Sequence, residues 1–177
     1  MRYWTSLLLG LALLASVASA ETKMVDWLDL LPEEDYQAML DMPEIDHDWG
    51  EEAPGDFTTG MCQRDKSLPE VMFSTRVVAE YDDQAIQIGG YPVPLETNER
   101  GLYTSFFLVP YGGACIHVPP PPPNQIILVD YPKGVAINDI YEPFWVKGTL
   151  RVSQNTNELA DSSYRLDAGR VWVYDGE

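Results

Sequence analysis

Hydrophobic and polar residues alternate with a period of two in the C-terminal half of the chain. In residues 144–152, one face is formed by Phe144, Val146, Leu150 and Val152 and the other by Trp145, Lys147, Thr149 and Arg151. A period of two is typical of a β-strand with one face in a core. We therefore predict that Val146 is buried and that Lys147 faces solvent.

Four further segments show strand patterns. They are residues 86–95, 102–109, 126–129 and, after a polar turn at 154–158, 164–173. In the first segment the apolar phase changes at Gly89-Gly90, which indicates a bend with a β-bulge. Five short strands in about one hundred residues predict a mainly β fold, a small five-stranded antiparallel OB-like barrel with a short N-terminal helix.

The N-terminal helix is predicted at residues 32–41. Pro32 suits the first turn of a helix, and Glu33 and Glu34 interact favourably with the positive end of its dipole. We expect the helix to pack on the barrel through Trp27 and three residues at helical spacing: Tyr36, Met39 and Leu40.

The remaining organisation follows from composition. Glycine, proline and acidic residues interrupt every hydrophobic period from residue 41 to residue 70, which predicts an irregular acidic wrap. We therefore divide the chain into residues 21–70, the helix and the wrap, and residues 71–177, the barrel. Residues 1–20 form a third segment with a different role.

Residues 1–20 have the pattern of a secretory signal peptide. Arg2 precedes an apolar run at residues 7–17, and Ala18-Ser19-Ala20 is an A-x-A cleavage signal. The run is too short for a stable membrane anchor. We expect cleavage after Ala20 and an exported protein without a membrane anchor.

The net charge of the chain limits the kinds of binding partner that we expect. The chain has 28 acidic and 11 basic residues, a formal net charge of −17. Nucleic acids and anionic membrane surfaces repel such a chain, so we expect no nucleic-acid partner. Cations, including metal ions, are favoured as partners because a negatively charged chain attracts them.

The most strongly biased run begins at Gly112-Gly113. It contains Cys115 and His117 and continues with Pro119, Pro120, Pro121, Pro122, Pro123, Asn124 and Gln125. Thiolate and imidazole are ligands that zinc prefers, and side chains two residues apart on an extended backbone project to the same side. Cys115 and His117 are therefore candidate ligands of zinc or copper, with zinc preferred. His47 of the acidic wrap, an acidic residue or water could complete the ligand set.

Other interpretations of this run remain open. Cys62 and Cys115 could form a structural disulfide, which would remove the thiolate. The residues from Pro119 to Gln125 could instead bind a protein partner, with aromatic residues such as Tyr111 and Trp145 nearby. Nucleophilic catalysis is disfavoured, because a histidine two residues along the same strand rarely reaches the sulfur. No motif in the sequence predicts an enzyme.

The run GGACIHVPPPPPNQ, with IQIGGYPVPLE before it and EPFWVKGTLRV after it, resembles a bacterial periplasmic family called domain of unknown function 3299. The resemblance covers residues 77–174. It implies no reaction, but it implies a periplasmic accessory role beside components of a metal-uptake ABC transporter. We therefore expect a periplasmic protein that binds zinc through the Cys-x-His loop and assists metal uptake or delivery.

Overall fold

The computed structural model describes residues 21–42, 68–114 and 121–175. The predicted signal peptide lies outside these ranges. Within them, no helix combines the length and the apolar character that crossing a membrane requires.

Six strands and one α-helix organise the described part of the chain. The strands are β1 Lys23–Met24, β2 Gln84–Thr97, β3 Tyr103–Val109, β4 Ile127–Val135, β5 Phe144–Thr156 and β6 Asp161–Val173, and the helix is α1 Glu33–Leu40. Short 3-10 helices lie at Trp27–Leu30, Glu70–Phe73, Ala79–Tyr81 and Pro123–Gln125. Helix α1 is one residue shorter at each end than predicted, because Pro32 and Asp41 are its caps.

Strands β2 to β6 close into a barrel. Their order is β2-β3-β4-β6-β5, and β5 pairs again with β2. The predicted mainly β, five-stranded barrel is confirmed. One detail differs, since β4 and β6 are parallel, with Ile127 opposite Tyr164. An odd number of strands cannot alternate in direction around a closed ring, so one neighbouring pair must be parallel.

The barrel interior confirms the predicted register of β5. Phe144, Val146 and Leu150 are buried, whereas Lys147 and Arg151 are exposed. Val146 packs in the main core with Ile86 and Ile88 of β2 and with residues of the other strands. The alternation in β5 therefore reports which face of the strand points into the barrel.

Truncation of Val146 tests this core. We expect Val146→Ala to lower the free energy of unfolding by about 1–2 kcal/mol, because it removes buried methyl groups from a site that relaxes only partly. Chemical denaturation measures the change. Lys147→Ala, on the exposed face, is the control and should change stability by less than about 0.5 kcal/mol. Equal losses in both variants would contradict the register.

The change of apolar phase in β2 has a different cause from the predicted bulge. Ile86 and Ile88 point into the barrel, whereas Val93 belongs to a second buried cluster with Phe107 and Val109 of β3. The second half of β2 is therefore covered on its outer face as well. The register irregularities between β2 and β3 lie further along, between Pro94 and Thr97.

The segment before helix α1 is hydrogen-bonded to the barrel through Tyr164 of β6. The Tyr164 hydroxyl donates to the Leu30 carbonyl at 3.0 Å and accepts from the Val78 amide at 2.8 Å. Burial raises the pKa of Tyr164 to about 12, so the phenol stays protonated and able to donate. Leu40, which we expected to pack, is 62% exposed. Helix α1 is instead attached through the Asp35 carboxylate, which accepts hydrogen bonds from Arg76 and Asn124.

Candidate functional site

The structure describes only some of the candidate site residues that were predicted from the sequence. Outside the described ranges lie Cys115, His117, His47, Cys62, Pro119 and Pro120. Within them lie the remaining predicted partner-binding residues, Pro121, Pro122, Pro123, Asn124 and Gln125, and both flanks of the segment 115–120.

The N-terminal flank of this segment is a glycine turn. Gly113 has a φ of 80°, a left-handed conformation that glycine adopts without strain. A Cβ atom at Gly112 would lie 3.1 Å from the Tyr141 ring and 3.2 Å from the Tyr91 ring. Ala114, which follows the turn, is 1% exposed. The paired glycines therefore form a turn packed against two tyrosines, and the chain leaves it at a buried position.

The C-terminal flank is held by hydrogen bonds. Pro121 and Pro122 are buried, and Pro123 begins a 3-10 helix. The amide of buried Asn124 donates to the Asp35 carboxylate at 2.7 Å and to the Arg76 carbonyl at 2.9 Å. The side chain of Gln125 donates to the Trp27 carbonyl at 3.0 Å. This end of the proline run is therefore part of the packed structure.

Asp35 of helix α1 is the centre of this attachment. Its side chain is 0% exposed, and its carboxylate accepts from the Arg76 guanidinium at 2.8 Å and from the Ser74 hydroxyl at 2.6 Å. Burial by itself would raise the pKa of Asp35, but hydrogen bonds from Arg76 and Ser74, followed by the charge of Arg76, outweigh it and lower the pKa. Asp35 is therefore a buried anion that joins the helix to two other segments.

An open groove of about 560 Å³ lies where β2 passes from β5 to β3. It is lined by Met24, Val25, Asp26, Trp27, Asp29, Gly89, Gly90, Tyr91, Pro110, Pro143, Trp145 and Tyr174. We call it the aromatic groove, because two indole rings and two phenol rings dominate its lining. Tyr91 lies in the groove and also against Gly112, so the groove adjoins the glycine turn.

Two glycines of β2 make room for the indole rings. A Cβ atom at Gly89 would lie 3.2 Å from the Trp145 ring, and one at Gly90 would lie 2.9 Å from the Trp27 ring. Trp27 Nε1 donates to the Gly89 carbonyl at 2.7 Å. The Trp145 and Tyr174 ring centroids are 4.8 Å apart and tilted by 31°. The rings are therefore fixed by packing and, for Trp27, by a hydrogen bond.

Asp26 and Asp29 add carboxylates to the groove. One oxygen of Asp26 accepts from the Leu28 amide at 3.0 Å, and one oxygen of Asp29 accepts from the Asp26 amide at 2.9 Å. The Asp26 side chain also accepts from the Asp29 amide, and this reciprocal arrangement caps the 3-10 helix Trp27–Leu30. It holds both carboxylates in place.

Sequence reasoning did not identify the groove as a site. Its lining comes from segments as distant as Trp27 and Tyr174, which only the closed barrel brings together. The available signal was the glycine pair inside a strand, because such a glycine often marks a place where another group approaches closely. Trp145 was singled out only as a nearby aromatic residue.

The described residues do not contain a metal cluster. In 21–42, 68–114 and 121–175, no three histidine, cysteine, aspartate or glutamate side chains are grouped so that they could hold a metal ion. The predicted ligands Cys115, His117 and His47 are not among these residues, so the metal prediction stays a prediction.

Comparison with known proteins identified a matching family and a matching solved structure. The model of the family described as "Protein of unknown function (DUF3299)" matches residues 27–173. The crystal structure of a DUF3299 family protein from Pseudomonas aeruginosa PAO1 superposes with a TM-score of 0.64 and 34% sequence identity. The alignment covers 89% of this chain and 99% of that chain. A search of the curated proteins gave no match.

The family match spans both the barrel and the N-terminal segment from Trp27, and the matched structure has this fold over nearly its whole length. Together they show that the chain belongs to the DUF3299 family.

Proposed function

We propose that the protein is an exported periplasmic accessory protein that binds a divalent transition metal, zinc in particular, and passes it to a metal-uptake ABC transporter. Cys115 and His117 are the proposed ligands in this chain, with His47 or a carboxylate completing the set. Zinc is the cargo in this proposal, and the protein performs no reaction on it.

The observation that supports the proposal best is the attachment of both flanks of segment 115–120. Ala114 is buried after the glycine turn, and Asn124 is bonded to Asp35 and Arg76. The two ends of a short segment that carries a thiol and an imidazole are therefore fixed on the barrel. Fixed ends lower the entropy that is lost when ligands are ordered around an ion.

The charge of the protein favours the same partner. A net charge of −17 attracts cations and raises their concentration near the surface. Thiolate and imidazole then select zinc over the hard cations magnesium and calcium, which prefer oxygen ligands. Both ligands must be deprotonated, so affinity should fall as the pH drops below about 6.5, the ordinary pKa of histidine.

Zinc competition against a chromophoric chelator, preceded by thiol titration, tests the proposal. We expect two reactive thiols, one from Cys62 and one from Cys115, and uptake of one zinc ion by the mature protein. Cys115→Ser and His117→Ala should each weaken zinc binding about 100-fold, because each removes one ligand of a small set.

Cys62→Ser is the matched control, since it removes the other cysteine of the chain. It should leave zinc affinity unchanged. A wild-type protein with no reactive thiol and no zinc uptake would contradict the proposal. That result would support the Cys62–Cys115 disulfide and an interaction role for the proline run instead.

A further inference from the structure

The aromatic groove brings ring faces and carboxylates to one place. Trp27, Tyr91, Trp145 and Tyr174 supply the rings, and Asp26 and Asp29 supply the negative charge. An ammonium or guanidinium group is attracted to the face of an aromatic ring and to a carboxylate. An anion would instead meet two like charges. The lining therefore suits a cationic ligand.

The same sheet already shows such a contact next to the groove. The Arg170 guanidinium lies 4.4 Å from the centroid of the Trp172 ring. Trp172 is directly opposite Trp145 in the β5–β6 pairing, and opposite residues project to the same face of a sheet. A guanidinium group over an indole ring therefore fits the geometry of this part of the barrel.

The groove receives no such cation from the rest of the described chain. The cation–π contacts among the described residues are Lys23 with Tyr81, Lys133 with Tyr131 and Arg170 with Trp172, so no groove ring takes part.

The ion pairs of the same residues use Arg76, Arg151 and Arg165 and leave out Asp26 and Asp29. Lys23, which precedes Asp26 on the same segment, donates to the Tyr81 hydroxyl at 2.8 Å. The charge of Asp29 is among the smaller causes that raise the pKa of Lys23, after the hydrogen bond to Tyr81. Within the described ranges, the four rings thus have no cation–π partner and the two carboxylates have no ion-pair partner.

We propose that the aromatic groove binds an arginine side chain carried on an extended segment of a basic partner protein. The groove is open, and apolar side chains extend along its rim, with Met24 63% and Tyr174 41% exposed. These rim side chains can contact the residues of the partner that precede and follow its arginine. The net charge of −17 steers a basic partner towards the surface. The inference needs no bound metal, so it stands apart from the proposed zinc function.

Calorimetric titration with a defined peptide tests the inference. The probe is the N-acetylated, C-amidated peptide GRGRG, and its control is the same peptide with citrulline, which keeps the shape of arginine without the charge. At low ionic strength, the arginine peptide should bind about tenfold more tightly than the citrulline peptide, as expected for charge-dependent contacts with rings and carboxylates.

Two groove variants locate the binding site. Trp145→Ala should weaken binding of the arginine peptide about tenfold. The double variant Asp26→Asn, Asp29→Asn should weaken it by a similar factor, and it preserves the cap because asparagine accepts the same hydrogen bonds. The matched control is Glu99→Gln with Glu158→Gln, which changes the net charge equally at two exposed positions. It should alter affinity less than about twofold.

Four results would overturn the inference. The first is equal affinity for the arginine and citrulline peptides. The second is an equal loss in the groove variants and in the glutamine control, which would indicate general charge attraction. Tighter binding of choline than of the peptide would assign the groove to a small organic cation. Self-association that Trp145→Ala abolishes would assign it to a second copy of the chain.

Discussion

Arg76→Ala is expected to lower the free energy of unfolding by about 3 kcal/mol at neutral pH. The substitution removes the cation from Asp35, whose side chain is 0% exposed, and leaves a buried carboxylate without a charge partner. We take the lower end of the range for breaking a buried ion pair, because the Arg76 side chain is itself 55% exposed. Urea denaturation measures the change.

The pH dependence identifies the cause of this loss. In the wild type, the pKa of Asp35 is lowered below its value in the unfolded chain. The unfolded state therefore binds the proton first, and the stabilisation from Asp35 is present above about pH 4 and lost as the pH falls through the lowered pKa. In Arg76→Ala, burial is no longer opposed by the cation. The stability difference between the two proteins should therefore shrink as Asp35 becomes protonated in acid.

Arg100→Ala is the control for this prediction, since Arg100 is exposed on the turn between β2 and β3. It should change the free energy of unfolding by less than about 0.5 kcal/mol. A loss below about 1 kcal/mol in Arg76→Ala, or a loss that does not depend on pH, would show that the Asp35 carboxylate is stabilised without Arg76.

Gly90→Ala is expected to lower the free energy of unfolding by about 3 kcal/mol, the upper end of the usual range for overpacking. A methyl group there would lie 2.8 Å from Leu108 Cγ, 2.8 Å from the Val109 carbonyl oxygen and 2.9 Å from the Trp27 ring. One of these atoms belongs to the backbone of a paired strand, so rotation of a side chain cannot relieve every contact. The Trp27 ring must also shift, which should change tryptophan fluorescence and near-ultraviolet circular dichroism.

Gly169→Ala provides the comparison. A Cβ atom at Gly169 meets only the Lys147 carbonyl oxygen, at 3.8 Å, which is ordinary contact. This variant should retain wild-type stability to within about 0.5 kcal/mol. If Gly90→Ala were as stable as Gly169→Ala, the close approach of Trp27 and β3 to Gly90 would be wrong. The arginine peptide should also bind more weakly to Gly90→Ala, because Trp27 lines the groove.

Periodicity in the sequence was sufficient to predict the barrel strands and the face of β5 that is buried. Val146 and Leu150 alternate with Lys147 and Arg151, and that pattern is local because successive side chains of a strand point to opposite faces. Pro32 and the acids after it predicted helix α1 for an equally local reason. The family was also predictable, from the residues around the proline run.

Long-range partners were not predictable in the same way. Asp35 follows Glu33 and Glu34 in the first turn of helix α1, and nothing near it in sequence indicated that Arg76 and Asn124 would contact it. The expected bulge at Gly89-Gly90 was wrong for a related reason. The apolar phase changes there because a second cluster around Val93 and Phe107 covers the outside of the barrel.

The sequence by itself determined the strand pattern, the short helix, the acidic surface and the thiol and imidazole of Cys115 and His117, because these depend on residue type and local spacing. The tertiary structure alone decided the parallel pairing of β4 with β6, the buried anion at Asp35 and the aromatic groove. Each of these depends on which distant segments become neighbours. Closure of five strands into a ring determines these neighbours. It requires one parallel pair, and it brings four aromatic residues into one groove: Trp27, Tyr91, Trp145 and Tyr174.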